Sequence, residues 1–174
     1  MIVRLAVEAD LPQLAGVQLD ADTRYASTDH PEDATTEAIP VDHARIAADR
    51  GRLVVADIDG RVVGWVFLTG SEGELLVGHI CVATDFGQRG IGIALMRFVE
   101  DIAAEHGLGS IVLNTYTDVP WNAPWYERLG FVVVREAEWT ADMRAIAEEQ
   151  TADGEDWGRR VHMRKHLPTK LRED

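Results

Sequence analysis

Between Leu75 and Phe131 the chain runs from an apolar strand into a glycine-rich turn, a long amphipathic helix, a second strand and a Trp/Tyr-rich turn. The core of this stretch reads His79-Ile80-Cys81-Val82, then Gly87-Gln88-Arg89-Gly90-Ile91-Gly92-Ile93-Ala94-Leu95. Later comes Trp121-Asn122-Ala123-Pro124-Trp125-Tyr126-Glu127-Arg128-Leu129-Gly130-Phe131. A strand, a Gly87-x-x-Gly90-x-Gly92 turn and an amphipathic helix together can hold a phosphate. Glycines permit positive φ and close approach, so that successive N–H groups converge on an anion. The helix start adds its dipole and its unpaired amides, and Arg89 adds a charge. Glycines also make ordinary strand-to-helix turns, so the turn alone does not decide. A P-loop needs Gly-Lys-Ser/Thr, and Gly90 is followed by Ile91-Gly92. A dinucleotide fingerprint needs a third small residue where Leu95 stands.

The rest of the chain reads as alternating short elements. Met1–Ala6 is a strand, and Glu8-Ala9-Asp10 opens a helix with Leu11, Leu14, Val17 and Gln18 at helical spacing. Residues 23–40 are polar and aperiodic, the kind of loop that lines a substrate entrance. Val41–Arg50 is helical and Gly51 stops it. Two β-rich runs, 52–58 and 62–68, flank Asp59-Gly60, a strong hairpin signal. Residues 74–82 form a nearly continuous apolar strand, expected to be buried on both faces. A helix over 91–106 presents Ile91, Leu95, Phe98, Val99 and Ile102 on one stripe. A strand over 111–115, a short helix over 123–129, a strand over 131–134, a helix over 139–150 and a last strand over 160–164 follow. That last strand is expected to lie exposed at the sheet's end, around Val161 to Arg164, where a second copy could pair to give a homodimer.

At 174 residues one domain is expected, over 1–167, with a charged tail over 168–174. The net charge is 17 − 30 = −13, which repels a phosphate backbone and argues against nucleic acid. Such a surface serves solubility and would also favour cationic partners such as amines. The lone Cys81 leaves no internal disulfide and fits a reducing compartment. The first residues lack a signal-peptide pattern, and no run approaches the roughly 18 apolar residues of a membrane span. A cytoplasmic protein with no membrane partner is expected.

The run from Val82 through Gly87-Gln88-Arg89-Gly90-Ile91-Gly92-Ile93-Ala94-Leu95 resembles the acetyl-coenzyme-A motif of the GNAT superfamily of N-acetyltransferases. The segment Asn122 … Trp125-Tyr126-Glu127-Arg128-Leu129-Gly130-Phe131 is similar to that family's downstream Asn … Tyr-Glu-x-Leu-Gly-Phe pattern. The resemblance covers 75–131. It departs at Gly87, where relatives carry Gln or Arg. It implies an α/β fold of the α+β type: a mixed, mostly antiparallel sheet of about six to seven strands, flanked by helices. A parallel splayed strand pair would lie at the cofactor site.

The activity implied is transfer of acetyl from acetyl-coenzyme A to a primary amine, on a small molecule or peptide, by direct attack and without a metal. The cofactor would lie along Ile80–Val82, with a backbone N–H of Cys81 or Val82 on the thioester oxygen. The pyrophosphate would lie over Gln88, Arg89, Gly90, Ile91, Gly92, Ile93 and Ala94. Asn122 would hold cofactor and short helix, and the Tyr126 hydroxyl would protonate the departing sulfur. Either Trp121 or Trp125 could wall the acceptor.

His79 is the candidate base, with an ordinary pKa near ~6.5 suited to neutral pH. Glu74 is the other candidate, and Asn114 and Tyr116 could line the acceptor site. Two alternatives differ in kind. Cys81 and His79 share a strand face and could form an acyl-cysteine; or the chain is a non-catalytic acyl-coenzyme-A sensor on the same fold.

Overall fold

A computed structural model describes residues 1–34, 37–71 and 73–168. The charged tail expected over 168–174 lies, beyond Pro168, outside the described residues, as do residues 35 and 36 of the entrance loop. The first half runs β1 (Ile2–Leu5), α1 (Leu11–Asp22), α2 (Val41–Asp49), β2 (Leu53–Ile58), β3 (Arg61–Ser71) and β4 (Glu74–Val82). It continues with α3 (Ile91–Glu105), β5 (Ser110–Tyr116), α4 (Ala123–Arg128) and β6 (Val132–Val133). The last elements are α5 (Ala141–Ala152) and β7 (Arg160–His166). The strands form one seven-stranded sheet in the order β1-β2-β3-β4-β5-β7-β6. The β1–β2, β2–β3, β5–β7 and β6–β7 ladders are antiparallel. The β4–β5 pair is parallel, Glu74–Leu76 against Ser110–Val112. This is the mixed sheet expected from the resemblance.

The chain clusters into two compact units, one of Met1–Thr69 with Val77–Ile102, the other of Gly70–Leu76 with the described residues from Ala103 onward. In the first unit the hairpin forms where Asp59-Gly60 lies, because both residues take positive φ, 53° and 84°. Asp57 closes it by accepting from the Gly60 amide at 2.7 Å. A bulge follows: Ala56 faces Gly64 while Asp57 faces Val62, so Val63 is extra. Leu11, Leu14, Val17 and Ala21 of α1, with Ala44 and Ala47 of α2, bury one sheet face through Leu53, Val55, Trp65 and Cys81. The Trp65 indole donates to the Leu14 carbonyl at 3.1 Å. On the other face, α3 reaches in at Gly64. A Cβ there would lie 2.9 Å from the Cys81 carbonyl, 3.1 Å from Val82 and 3.3 Å from Leu95.

In the second unit β7 pairs along its whole length with β5 and takes β6 on its other side. The expectation that Val161–Arg164 is an exposed end strand is therefore corrected. Val132 pairs with Arg164, Val133 with Met163, and the Val134 amide donates to the His162 carbonyl. The two-residue β6 is the sheet's terminus on that side and β1 on the other. Val112, Val134 and Met143 form this unit's apolar cluster, and His162 anchors α5 through Nε2 to the Met143 carbonyl at 2.9 Å.

Strand β4 differs from its expectation too. Leu75, Val77 and Cys81 are buried, whereas Gly78 is exposed and the remaining residues are half-buried. Its apolar run reflects one covered face and one partly open face, not a strand enclosed on both sides. The polar 23–40 segment holds two 3-10 turns, Thr23–Ser27 and Pro31–Asp33.

Candidate active site

The first unit carries β4 from Val77 onward, the glycine turn and α3 as far as Ile102. After Val82, the Ala83 amide donates to Val63 on β3 at 2.9 Å, and a 3-10 turn, Thr84–Phe86, follows. Asp20 of α1 fixes that turn by accepting from the Thr84 amide at 2.6 Å and its hydroxyl at 3.0 Å. Of the motif glycines, Gly90 has positive φ (79°), while Gly87 sits at φ −57° and Gly92 lies within α3. The second left-handed residue is Gln88, φ 59°, where no glycine signalled it. Gln88, Arg89 and Gly90 are exposed. The Ala94 amide is already bonded to the Gly90 carbonyl, whereas amides in a helix's first turn have no carbonyl of that helix to bond. The 15-residue α3 thus begins with exposed donors and a positive dipole end, which suit a pyrophosphate. Arg89 lies with its guanidinium 5.3 Å from the Phe86 ring, and Arg61 sits 5.1 Å from the same ring.

Strand β4 sorts its backbone groups by alternation. Because the Ala83 amide faces β3, the Cys81 amide faces it also, and those of Val82 and Ile80 point the other way. Side chains alternate likewise. Cys81 and His79 lie on the face covered by α1, as their contacts with the α1 core and with Trp65 require.

The Cys81 thiol is 6% exposed. Burial pushes its pKa well above the ordinary value, and the nearby Asp22 charge adds to this. A thiol so disfavoured as thiolate is a poor nucleophile, which disfavours the acyl-cysteine alternative. His79 also departs from its expectation. Its Nε2 is enclosed without a hydrogen-bond partner, and desolvation lowers its pKa to about 4. The premise of an unperturbed imidazole is corrected.

The second unit carries the other motif. Asn122, 8% exposed, is the N-cap of α4, and its carbonyl accepts from the amides of Trp125 (2.8 Å) and Tyr126 (3.1 Å). Pro124 sits in the helix's first turn, where its missing N–H costs nothing. Tyr126, 6% exposed, is held edge-on between Trp125 (4.8 Å) and Phe131 (5.6 Å). Glu74 is engaged elsewhere: it accepts from Arg164 Nε at 2.7 Å and the Ser110 hydroxyl at 2.7 Å. The Asn114 side chain accepts from Arg160 at 2.7 Å, and the same guanidinium covers buried Tyr116 at 4.4 Å. These three residues are committed to holding β4, β5 and β7.

Two residues that matter here were not singled out from the sequence. Gly64 carried a usable signal, since a glycine inside an apolar strand marks close approach of another backbone. Asp22 carried a subtler one: it continues the buried face of Leu11, Leu14, Val17 and Ala21, a polar residue at the end of an apolar stripe.

Residues 49–133 match the sequence family described as the acetyltransferase (GNAT) domain. Over this segment, just under half of the chain, the sequence is similar to a GNAT acetyltransferase domain. The GNAT match takes in the hairpin, β4, the glycine turn, α3, β5 and α4. A probable N-acetyltransferase, camello, of Xenopus tropicalis is 33% identical over 98 residues, 55% of this chain and 45% of that protein. The chain thus spans about half the length of that curated relative. Among solved structures, N-acetylglutamate synthase from Neisseria gonorrhoeae, complexed with coenzyme A and N-acetyl-glutamate, superposes at TM-score 0.73 with 15% identity. That superposition covers 96% of this chain and 35% of the synthase. The PaiA N-acetyltransferase from Thermoplasma acidophilum, in complex with coenzyme A, superposes at 0.68 with 16% identity, over 95% of this chain and 98% of that one. These likenesses establish the GNAT fold of the sheet and helices. Among the described residues, no three His, Cys, Asp or Glu side chains are grouped to hold a metal, and no helix is long and apolar enough to cross a membrane.

Proposed function

We propose that this chain moves an acetyl group from acetyl-coenzyme A to a primary amine, on a small molecule or a peptide, by direct attack within a ternary complex. One observation carries the reading. Directly after β4, an exposed turn with positive φ at Gln88 and Gly90 opens the long helix α3, inside the segment that matches the GNAT domain. The co-substrate supplies an activated thioester and a thiol leaving group. The chain's own residues supply alignment, charge stabilisation and proton transfer.

The backbone from Gln88 to Ile93 holds the pyrophosphate, with Arg89 as the cation beside it. Ala94 contributes surface only, since its amide is committed to Gly90. Between the two strand amides considered, the alternation of β4 favours Val82, whose N–H points away from β3 and is oriented to donate to the thioester oxygen; Cys81 contributes backbone contact. Asn122 holds the cofactor beside its role as cap of α4. The Tyr126 hydroxyl delivers a proton to the departing sulfur. His79 touches the acceptor as a neutral imidazole, its lowered pKa leaving Nε2 able to accept a hydrogen bond across the physiological range.

The acidic balance of the chain, −13, favours cationic acceptors by long-range attraction. The single buried thiol suits a reducing, cytoplasmic setting. Two-substrate initial-rate kinetics test the mechanism: intersecting lines, retained in Cys81→Ala, are expected for a ternary complex. Parallel lines abolished by Cys81→Ala would instead establish an acyl-cysteine.

A further inference from the structure

The end of α1 carries a buried charge that the reading above leaves idle. Asp22 is the last residue of α1 and is 7% exposed, at the helix end where a carboxylate is least favoured. Gln18, one turn earlier, donates to it. The Gln18 carbonyl oxygen is occupied by the Ile39 amide at 2.9 Å, which aims its NH2 group at the carboxylate. The other groups felt by Asp22 are Asp33 of the 3-10 turn and Cys81 of β4. No cation is paired with it among the described residues.

Two residues before Cys81, on the same strand face, His79 keeps its enclosed Nε2 unpartnered while its ring packs on Trp65. A carboxylate without a cation and a ring nitrogen without a hydrogen-bond partner therefore share the α1 face of β4. Both are completed by one kind of ligand, a group that is positively charged and carries several N–H bonds.

Resting on the acetyl-transfer reading, the geometry points to an ammonium subsite on this face, in which Asp22 receives the acceptor's charged amine and takes its proton, with His79 Nε2 as second hydrogen-bond acceptor. The proton count closes. Going from ammonium to amide, the nitrogen loses two protons. The first passes to the Asp22 carboxylate before the C–N bond forms, and from there to solvent. The second balances the proton that Tyr126 gives to the thiol as the C–S bond breaks. Enclosure, with Asp33 nearby and Gln18 opposing, sets Asp22 to about 6. The carboxylate is thus charged at neutral pH yet more basic than an ordinary one, whereas His79, at about 4, is the weaker acceptor of the two.

The test is the pH dependence of kcat/KM for thiol release, using the best amine from a screen of diamines, amino-acid amides and peptide N-termini. Wild type is expected to rise through about pH 6 to a plateau. Asp22→Asn should lose that limb and fall by roughly 100-fold, with acetyl-coenzyme-A affinity retained. His79→Gln should keep the limb. Gln18→Leu, which removes the donor that holds Asp22 down, should move the limb to higher pH. A merely structural role would not produce that shift.

Asp22→Asn turnover within about twofold of wild type, with the limb in place, would overturn the inference and leave the acetyl-transfer reading standing. Should Asp22→Asn fail to fold, an unshifted limb in Gln18→Leu overturns it alone. Wild type that binds acetyl-coenzyme A and releases no thiol with any amine overturns the reading and the subsite together.

Discussion

His79 packs against Trp65 with ring centroids 4.9 Å apart and planes tilted by 34°. Trp65 is itself bolted to α1 through the Leu14 carbonyl, so this contact pins an imidazole on the covered face of β4. Burial there lowers the His79 pKa to about 4, against roughly 6.5 in an unfolded chain. A depressed histidine contributes stability that is complete above the unfolded value and is lost as pH falls through the folded one. Thermal midpoints of wild type should therefore decline from about pH 6.5 toward pH 4. His79→Gln should flatten part of that decline, by up to about 3 kcal/mol at the acid end. An equal decline in both proteins would assign it to other groups, such as buried His162, which is lowered by the same cause.

Gly64 is where β3, β4 and α3 meet. A methyl group added there would sit 2.9 Å from the Cys81 carbonyl, a distance only backbone movement can relieve. Gly64→Ala is expected to cost about 1–3 kcal/mol and lower the melting midpoint by roughly 5 °C. It should also weaken acetyl-coenzyme-A binding measured by calorimetry, because the displaced segment is Cys81–Val82. A midpoint and affinity equal to wild type would mean the strands have room the structure does not show.

The two left-handed residues of the phosphate turn make opposite predictions. Gly90 has open space around a would-be Cβ but φ of 79°, so Gly90→Ala should cost about 1–2 kcal/mol through the backbone alone. Gln88, at φ 59°, already bears such a strain, and Gln88→Gly should be neutral or stabilising by up to about 1 kcal/mol. Urea titrations of the two variants give the comparison. Loss of stability in both would show that the Gln88 side chain holds the turn.

What could be read from the sequence was what adjacent residues decide. Asp59-Gly60 specifies its hairpin through two local positive φ values, and the Asn122-x-Pro124 start of α4 is likewise local. The end of the sheet could not be read the same way. Arg160–His166 looks like a last strand because it is last in the chain, yet it lies inside the sheet, between β5 and β6, through pairings to residues far away in sequence. The burial of β4 is illegible for a related reason: its composition is nearly all apolar, but which face is covered depends on α1 and α3. At the site, the backbone cradle and Tyr126 stood out because motifs fix them. The altered basicity of His79 and the enclosure of Asp22 arise from side chains that converge only after folding.

Tyr126 lies between Trp125 and Phe131, so removing its hydroxyl leaves the ring packing in place. Tyr126→Phe is expected to keep acetyl-coenzyme-A affinity within about twofold and lower kcat by roughly 100-fold. A thioester with a more acidic leaving thiol should recover much of that loss. Unchanged kcat with the natural thioester would remove Tyr126 from proton delivery.

The central claim is acetyl transfer to an amine, and the most direct measurement is amine-dependent release of free thiol from acetyl-coenzyme A by the whole chain. The account predicts release that requires an added primary amine, saturates in both substrates and yields an equal amount of acetylated amine by mass spectrometry. Tight binding of acetyl-coenzyme A with no thiol released for any amine class would contradict it and identify the chain as a binding domain.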